Sequence, residues 1–194
     1  MRLFPLLAFL IGPSLANAAL VITAEEVGTD LLVNASGTID LSALTFVDSG
    51  NGAGTISPSS GEVLLGPVFV GYDQYSGISG PSSFGPGVGL SPGFPTTGSG
   101  GLVGVRGSNG LLRVPSGYSS GDSISAAMTF SNNSLASLGI TPGNYVWNWG
   151  TGTTADSLTF QAGSGVVPAP PTLALLGLGG LLLARWRRRR TPAI

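Results

Sequence analysis

The stretch Asn144-Tyr145-Val146-Trp147-Asn148-Trp149, closed by Gly150, alternates residue by residue. Alternate residues of a strand point to opposite faces, so Tyr145, Trp147 and Trp149 share one face and Asn148 lies on the other. Two readings of the aromatic face follow. Exposed, Tyr145, Trp147 and Trp149 form a platform on which sugar rings stack. Buried, they are the widest part of a core, and the polar Asn148 on the opposite face favours this second reading.

The same grammar extends in both directions. Short runs rich in Val, Thr, Phe and Tyr, separated by Gly/Asn/Ser/Pro clusters, predict strands at 20–25, 31–35, 38–41, 44–47, 62–72, 102–106 and 111–114. Three more are predicted at 123–131, 144–149 and 157–162. Asn109-Gly110 suits a two-residue type I′ hairpin turn, and Asp48-Ser49-Gly50-Asn51-Gly52 and Pro142-Gly143 read as further turns. Only 134–138 suggests a helical turn. The fold class expected is all-β, a single antiparallel β-sandwich-like domain over residues 19–165. Gly77 to Gly101 interrupts the pattern with nine glycines and four prolines in 25 residues. It reads as a Gly/Pro-rich surface loop, flexible rather than ligand-binding.

Composition narrows the chemistry. The 194 residues hold no His, Cys or Lys, and only 9% are charged. Disulfides, Cys/His zinc sites, Schiff bases and His-based triads are excluded. Gly117-Tyr118-Ser119-Ser120-Gly121 spells a nucleophile elbow, but with no base to take the serine proton it carries no hydrolase. All nine acids lie between Glu25 and Asp156, alongside only Arg106 and Arg113, giving the middle of the chain seven net negative charges. That balance argues against nucleic acid as a partner. Glu62, Asp73 and Asp122, in or beside predicted strands, are the acids from which a glycosidase pair would be drawn; solubilising charge is the simpler reading. Asp48 to Gly52 lacks the ligand spacing of a calcium loop. No cofactor and no metal are expected.

Both ends differ from this middle. Arg2, the apolar run Leu3 to Ile11, Gly12-Pro13 and Ala16-Asn17-Ala18 read as a signal peptide over 1–18, cut between Ala18 and Ala19, with a cut after Ala16 as the alternative. At the other end, Val166 to Ala184 carries no charge. A helix expected over 171–186 would rise about 24 Å, short of the ~30 Å hydrocarbon core. Arg185, Arg187, Arg188, Arg189 and Arg190 follow at once and, by the positive-inside rule, stay cytoplasmic.

Val167-Pro168-Ala169-Pro170-Pro171, the Leu/Ala/Gly-rich helix and the Arg cluster together resemble the PEP-CTERM sorting signal of exported proteins from Gram-negative bacteria. The family usually has Glu where Ala169 stands. Such a segment also carries the label of an ice-binding protein C-terminal domain, which names the tail alone. The resemblance covers 166–194 and implies secretion machinery, signal peptidase and an exosortase-like membrane protease as partners. It further implies a transient inner-membrane intermediate, then release to the cell surface or extracellular matrix, where polysaccharide is a partner. The expectation is a non-catalytic surface or matrix protein, with a carbohydrate-binding module or glycoside-active enzyme as the alternative.

Overall fold

The computed structural model describes residues 19–88 and 95–163. The signal segment with Ala16 and Ala18, the sorting motif 167–171, the helix expected over 171–186 and the arginines at 185–190 lie outside the described residues. Contacts divide the chain into two compact units, Met1–Ser164 and Gly165–Ile194. Among the described residues no helix is long and apolar enough to cross a membrane.

Among the described residues twelve strands follow one another: β1 (Ala19–Val27), β2 (Asp30–Gly37), β3 (Thr45–Gly52), β4 (Thr55–Ser57), β5 (Glu62–Leu65) and β6 (Val70–Ser76), then β7 (Thr97–Ser99), β8 (Val103–Arg106), β9 (Leu111–Pro115), β10 (Ile124–Phe130), β11 (Gly143–Trp149) and β12 (Asp156–Ala162). They form two six-stranded sheets, ordered β11-β12-β1-β2-β10-β7 and β3-β6-β9-β8-β5-β4. The described residues are all-β, and one buried cluster joins the two sheets. Leu20, Ile22, Val33, Met128, Leu158 and Phe160 enter it from the first sheet, and Val63, Val103, Val105, Leu112 and Val114 from the second. Burial of each such side chain is worth about 1.5–3 kcal/mol. Strand β12 shows the cause, alternating buried and half-buried residues along its whole length.

Several expectations are corrected. The first sheet is not purely antiparallel, because β1 pairs with β12 in parallel, Ala19 opposite Ser157 through Ala24 opposite Ala162. The run 62–72 splits into β5 and β6, since Gly66-Pro67 cannot continue a ladder. Thr38 to Leu41 is a connection, not a strand. Asp48 to Gly52 is no turn but the body of β3, hydrogen-bonded along β6. The hairpin between β8 and β9 turns through a 3-10 turn at Gly107–Asn109 with Gly110 left-handed at φ 64°. This four-residue connection sets Arg106 opposite Leu111 and Gly104 opposite Arg113.

The Gly/Pro-rich segment is structured wherever it is described. Ile78 and Phe84 are buried in the core, and Phe84 meets Phe160 at 4.9 Å and Tyr145 at 5.5 Å between ring centroids. Ser79 exchanges two backbone hydrogen bonds with Asn148, covering part of the free edge of β11. Its glycines are there for closeness: a Cβ on Gly80 would lie 2.6 Å from both Val146 O and the Trp147 ring. Thr97–Ser99 then adds β7 to the edge of the first sheet.

The second sheet is rolled. Its edge strands β3 and β4 are joined by Ala53 and Gly54 alone, so Gly52 and Thr55 lie at most about 11 Å apart. A flat six-stranded sheet would hold its edges about 24 Å apart. Across the roll, a Cβ on Gly52 of β3 would sit 3.0 Å from Leu102, at the start of β8, although β6 and β9 separate those strands. One face of this sheet therefore packs on the core and the other is concave.

Candidate functional site

Trp147 is fully buried and Trp149 nearly so. Trp147 Nε1 donates to Pro81 O at 2.9 Å and Trp149 Nε1 to Asp40 O at 2.8 Å. Tyr145 is half-buried against the core, stacked on Phe160, and donates to Thr141 O at 2.8 Å. Both indole rings are packed inside the protein, so they offer no stacking face to a sugar; Asn144, Val146 and Asn148 take the outward face.

The three acids do not converge. Glu62 lies opposite Arg106 on the concave face, whereas Asp73 pairs with Val114 on the core-side face. A glycosidase needs two carboxyls flanking one bond, and Glu62 and Asp73 stand on opposite faces of one sheet. Asp73 accepts hydrogen bonds from Ser49 Oγ at 2.6 Å and Gly117 N at 2.7 Å, which hold its carboxyl below the ordinary carboxylate value. Asp122 accepts from Ser119 N within the loop before β10. Asp40 is likewise lowered, by the hydroxyl and backbone N–H of Ser42. Asp156 is the exception: burial raises it above the ordinary value, against the pull of hydrogen bonds from Asp40 N and Ser157 N. Among the described residues no three acids gather as a metal site would require.

The concave face carries a constellation that composition does not single out. Residues directly opposite in an antiparallel ladder share a face, so Tyr72, Gln74, Arg113, Gly104, Arg106 and Glu62 stand together on it. Arg106 Nε donates to Glu62 Oε2 at 2.7 Å, and this bond raises the arginine further above its ordinary value. Glu62 is almost wholly buried, while the Arg106 side chain is 41% exposed. Arg113 Nε donates to Gln74 Oε1 at 2.9 Å, and its Cζ lies 4.3 Å from the centroid of the Tyr72 ring. Tyr72 in turn lies over β3, where only glycines leave room: a Cβ on Gly50 would meet the Tyr72 hydroxyl at 2.9 Å. Leu64 and Leu102, both buried and outside the main core cluster, line the same face.

The two arginines thus differ. Arg106 is neutralised by a carboxylate, whereas Arg113 is held by a neutral amide and an aromatic ring. Among the described residues no ion pair to Arg113 forms, and no buried side-chain nitrogen or oxygen is left without a partner. Arg113 is half-buried, and no hydrogen bond from Nη1 or Nη2 forms among the described residues, so neither nitrogen is sealed from solvent. An aromatic face beneath a guanidinium fixes its plane without cancelling its charge.

A second recess of about 360 Å³ opens beside the β1–β2 turn, lined by Glu26, Thr29, Asp30, Asn132, Asn133 and Ser134 among others. Its acids are already engaged, Glu26 by Leu135 N and Asp30 by Asn132 N.

Compared with protein-family models, with curated proteins and with solved structures, the chain matches none.

Proposed function

We propose that this chain is a non-catalytic exported protein of the cell surface or extracellular matrix, delivered by a PEP-CTERM-like tail as an exosortase substrate. The observation that carries the reading is the use the domain makes of its reactive groups. The acids best placed for chemistry serve as structural acceptors: Glu62 for Arg106, Asp73 for Ser49 and Gly117, Asp122 for Ser119. With no His, Cys or Lys in the chain, acid–base and nucleophilic roles have few candidates left. The sorting half of the reading rests on residues 1–18 and 166–194 alone: charge, apolar run and A-x-A at one end, Pro motif, short apolar run and Arg cluster at the other. The partners it entails are signal peptidase, the exosortase-like protease and, transiently, the inner membrane.

Terminal-peptide mass spectrometry of the protein recovered from membranes, cell surface and medium of its native host tests this. Surface or medium protein that begins at Ala19 and lacks Arg185 to Arg190 is the expected result. A membrane-bound protein that keeps its arginines, with no trimmed form anywhere, would overturn the sorting claim and leave a single-span anchor.

A further inference from the structure

We infer that the concave face of the second sheet binds a sugar acid, with Arg113 receiving the carboxylate of a single uronate residue in an otherwise neutral polysaccharide. The ligand source rests on the matrix reading above; the chemistry rests on the site.

Arg113 presents what carboxylate recognition needs. Its plane is fixed by Tyr72 on one side, and Nε is occupied by Gln74, so the Nη1/Nη2 edge is oriented before any ligand arrives. A planar fork of this kind pairs with a carboxylate through two parallel hydrogen bonds. Arg113 is also the cation without a carboxylate partner among the described residues, in a region where nine acids outnumber two arginines. A domain that builds a supported, unneutralised guanidinium against that balance has placed it for something anionic.

The surroundings narrow the anion. Gln74, almost wholly buried, spends its oxygen on Arg113, so what its side chain can offer besides is a donor, the amide NH₂. Asp48, opposite Gln74 on β3, is exposed and accepts. Arg106 lies diagonally across from Arg113 on the neighbouring strand, about 7–8 Å away by ladder geometry, with its head group partly exposed. Donors and acceptors alternating around one fork suit a ring that carries a carboxylate and several hydroxyls. A phosphate monoester, with a charge of about −1.5 to −2 at neutral pH, meets more repulsion from the exposed Asp48 than a singly charged carboxylate does. The net acidity of the domain also opposes a densely charged polymer, so the preferred ligand is sparsely charged. Tyr72 has one face under Arg113 and lies over Gly50, so it orients the guanidinium and does not itself stack on sugar.

The test uses the full chain in mild detergent, with a fluorescently labelled disaccharide ending in glucuronate and its all-neutral counterpart. Saturable binding of the glucuronate probe is expected, at least tenfold tighter than the neutral probe. Arg113→Lys, which keeps charge but loses the fork and the flat stack, should weaken that binding at least tenfold while melting within a few degrees of the native chain. The Arg113 Nε–H signal of the unmutated protein should shift on titration, which guards against a variant that fails to fold. Equal binding of the two probes, an Nε–H signal that stays put at saturating probe, or full affinity in the lysine variant overturns the proposal. Stronger competition by inorganic phosphate, or by a peptide with a free C-terminal carboxylate, overturns the sugar assignment. Trimmed surface protein that ignores glucuronate would refute the site and leave sorting intact; an untrimmed anchor that binds it would do the reverse.

Discussion

Tyr118 and Ile39, 79 residues apart in sequence, are joined through a single hydroxyl. Tyr118 Oη accepts the Ile39 N–H at 2.8 Å and lies 3.0 Å from Ile39 O and 2.9 Å from Asp122 O, so its one hydrogen serves two acceptors. Burial raises this phenol above its ordinary value, so the hydrogen stays in place well beyond neutral pH. The bond ties the β2–β3 connection to the loop before β10. Tyr118→Phe keeps the ring and strands the Ile39 N–H, and should cost about 1–3 kcal/mol. Urea unfolding at pH 7 reads this as a lower midpoint with an unchanged slope.

Trp147→Phe removes the donor that satisfies Pro81 O and opens space in a fully buried position. The expected loss is about 2–4 kcal/mol. In the native chain, indole emission from Trp147 and Trp149 should be blue-shifted, and neutral oligosaccharide should not quench it. Quenching would return the aromatic strand to the role of a sugar platform.

Phe84→Ala tests whether the Gly/Pro-rich segment belongs to the core. A passive surface loop would tolerate the change within about 0.5 kcal/mol. The ring contacts to Phe160 and Tyr145 instead predict a loss of about 3–5 kcal/mol. Thermal melts should show it directly, and limited proteolysis of the native protein should spare residues 77–88.

Asp156 gives the pH dependence. Its carboxyl is held above the ordinary value of 3.8 by burial, so the folded state binds that proton more tightly than the unfolded chain does. Its contribution is favourable while it is protonated, below 3.8, and fades as pH rises through its folded value. Asp73 acts oppositely: lowered by Ser49 and Gly117, it supports the fold above 3.8 and loses that support as pH falls through its own folded value. Asp156→Asn should therefore remove a decline in stability on going from pH 4 upward, and Ser49→Ala should reduce the loss below pH 4. Urea midpoints across pH 3–7 for the native chain and both variants separate the two slopes.

The strands that are half-buried and locally alternating were legible, β10 to β12 best of all, because a period of two is written in the residues themselves. Where composition and pattern disagreed, composition misled. Asp48 to Gly52 has turn residues, yet its glycines make room for the Tyr72 ring on a paired strand. Phe84 is one bulky residue in a glycine-rich run, and nothing local reveals that it reaches the core. The parallel pairing of β1 with β12 joins segments about as far apart as the domain permits, so no local signal marks it. The Arg113 site depended on register. A two-residue turn at Asn109-Gly110 would have set Arg106 directly across from Arg113, where like charges repel. The four-residue connection slides the strands so that Arg113 faces Gly104 and the arginines stand diagonally apart. The signal available in advance was that the region's two cations flank one hairpin.

The place of β12 in its sheet bears on mechanics. The strand lies between β11 and β1, bonded to both over nearly its full length, and the chain leaves it at Ala162. A pull along the strand from that point loads two ladders in shear. Their hydrogen bonds must yield together, whereas the same force across a free edge would peel them one at a time. A tether drawn from this end would hold the domain by one of its most resistant seams.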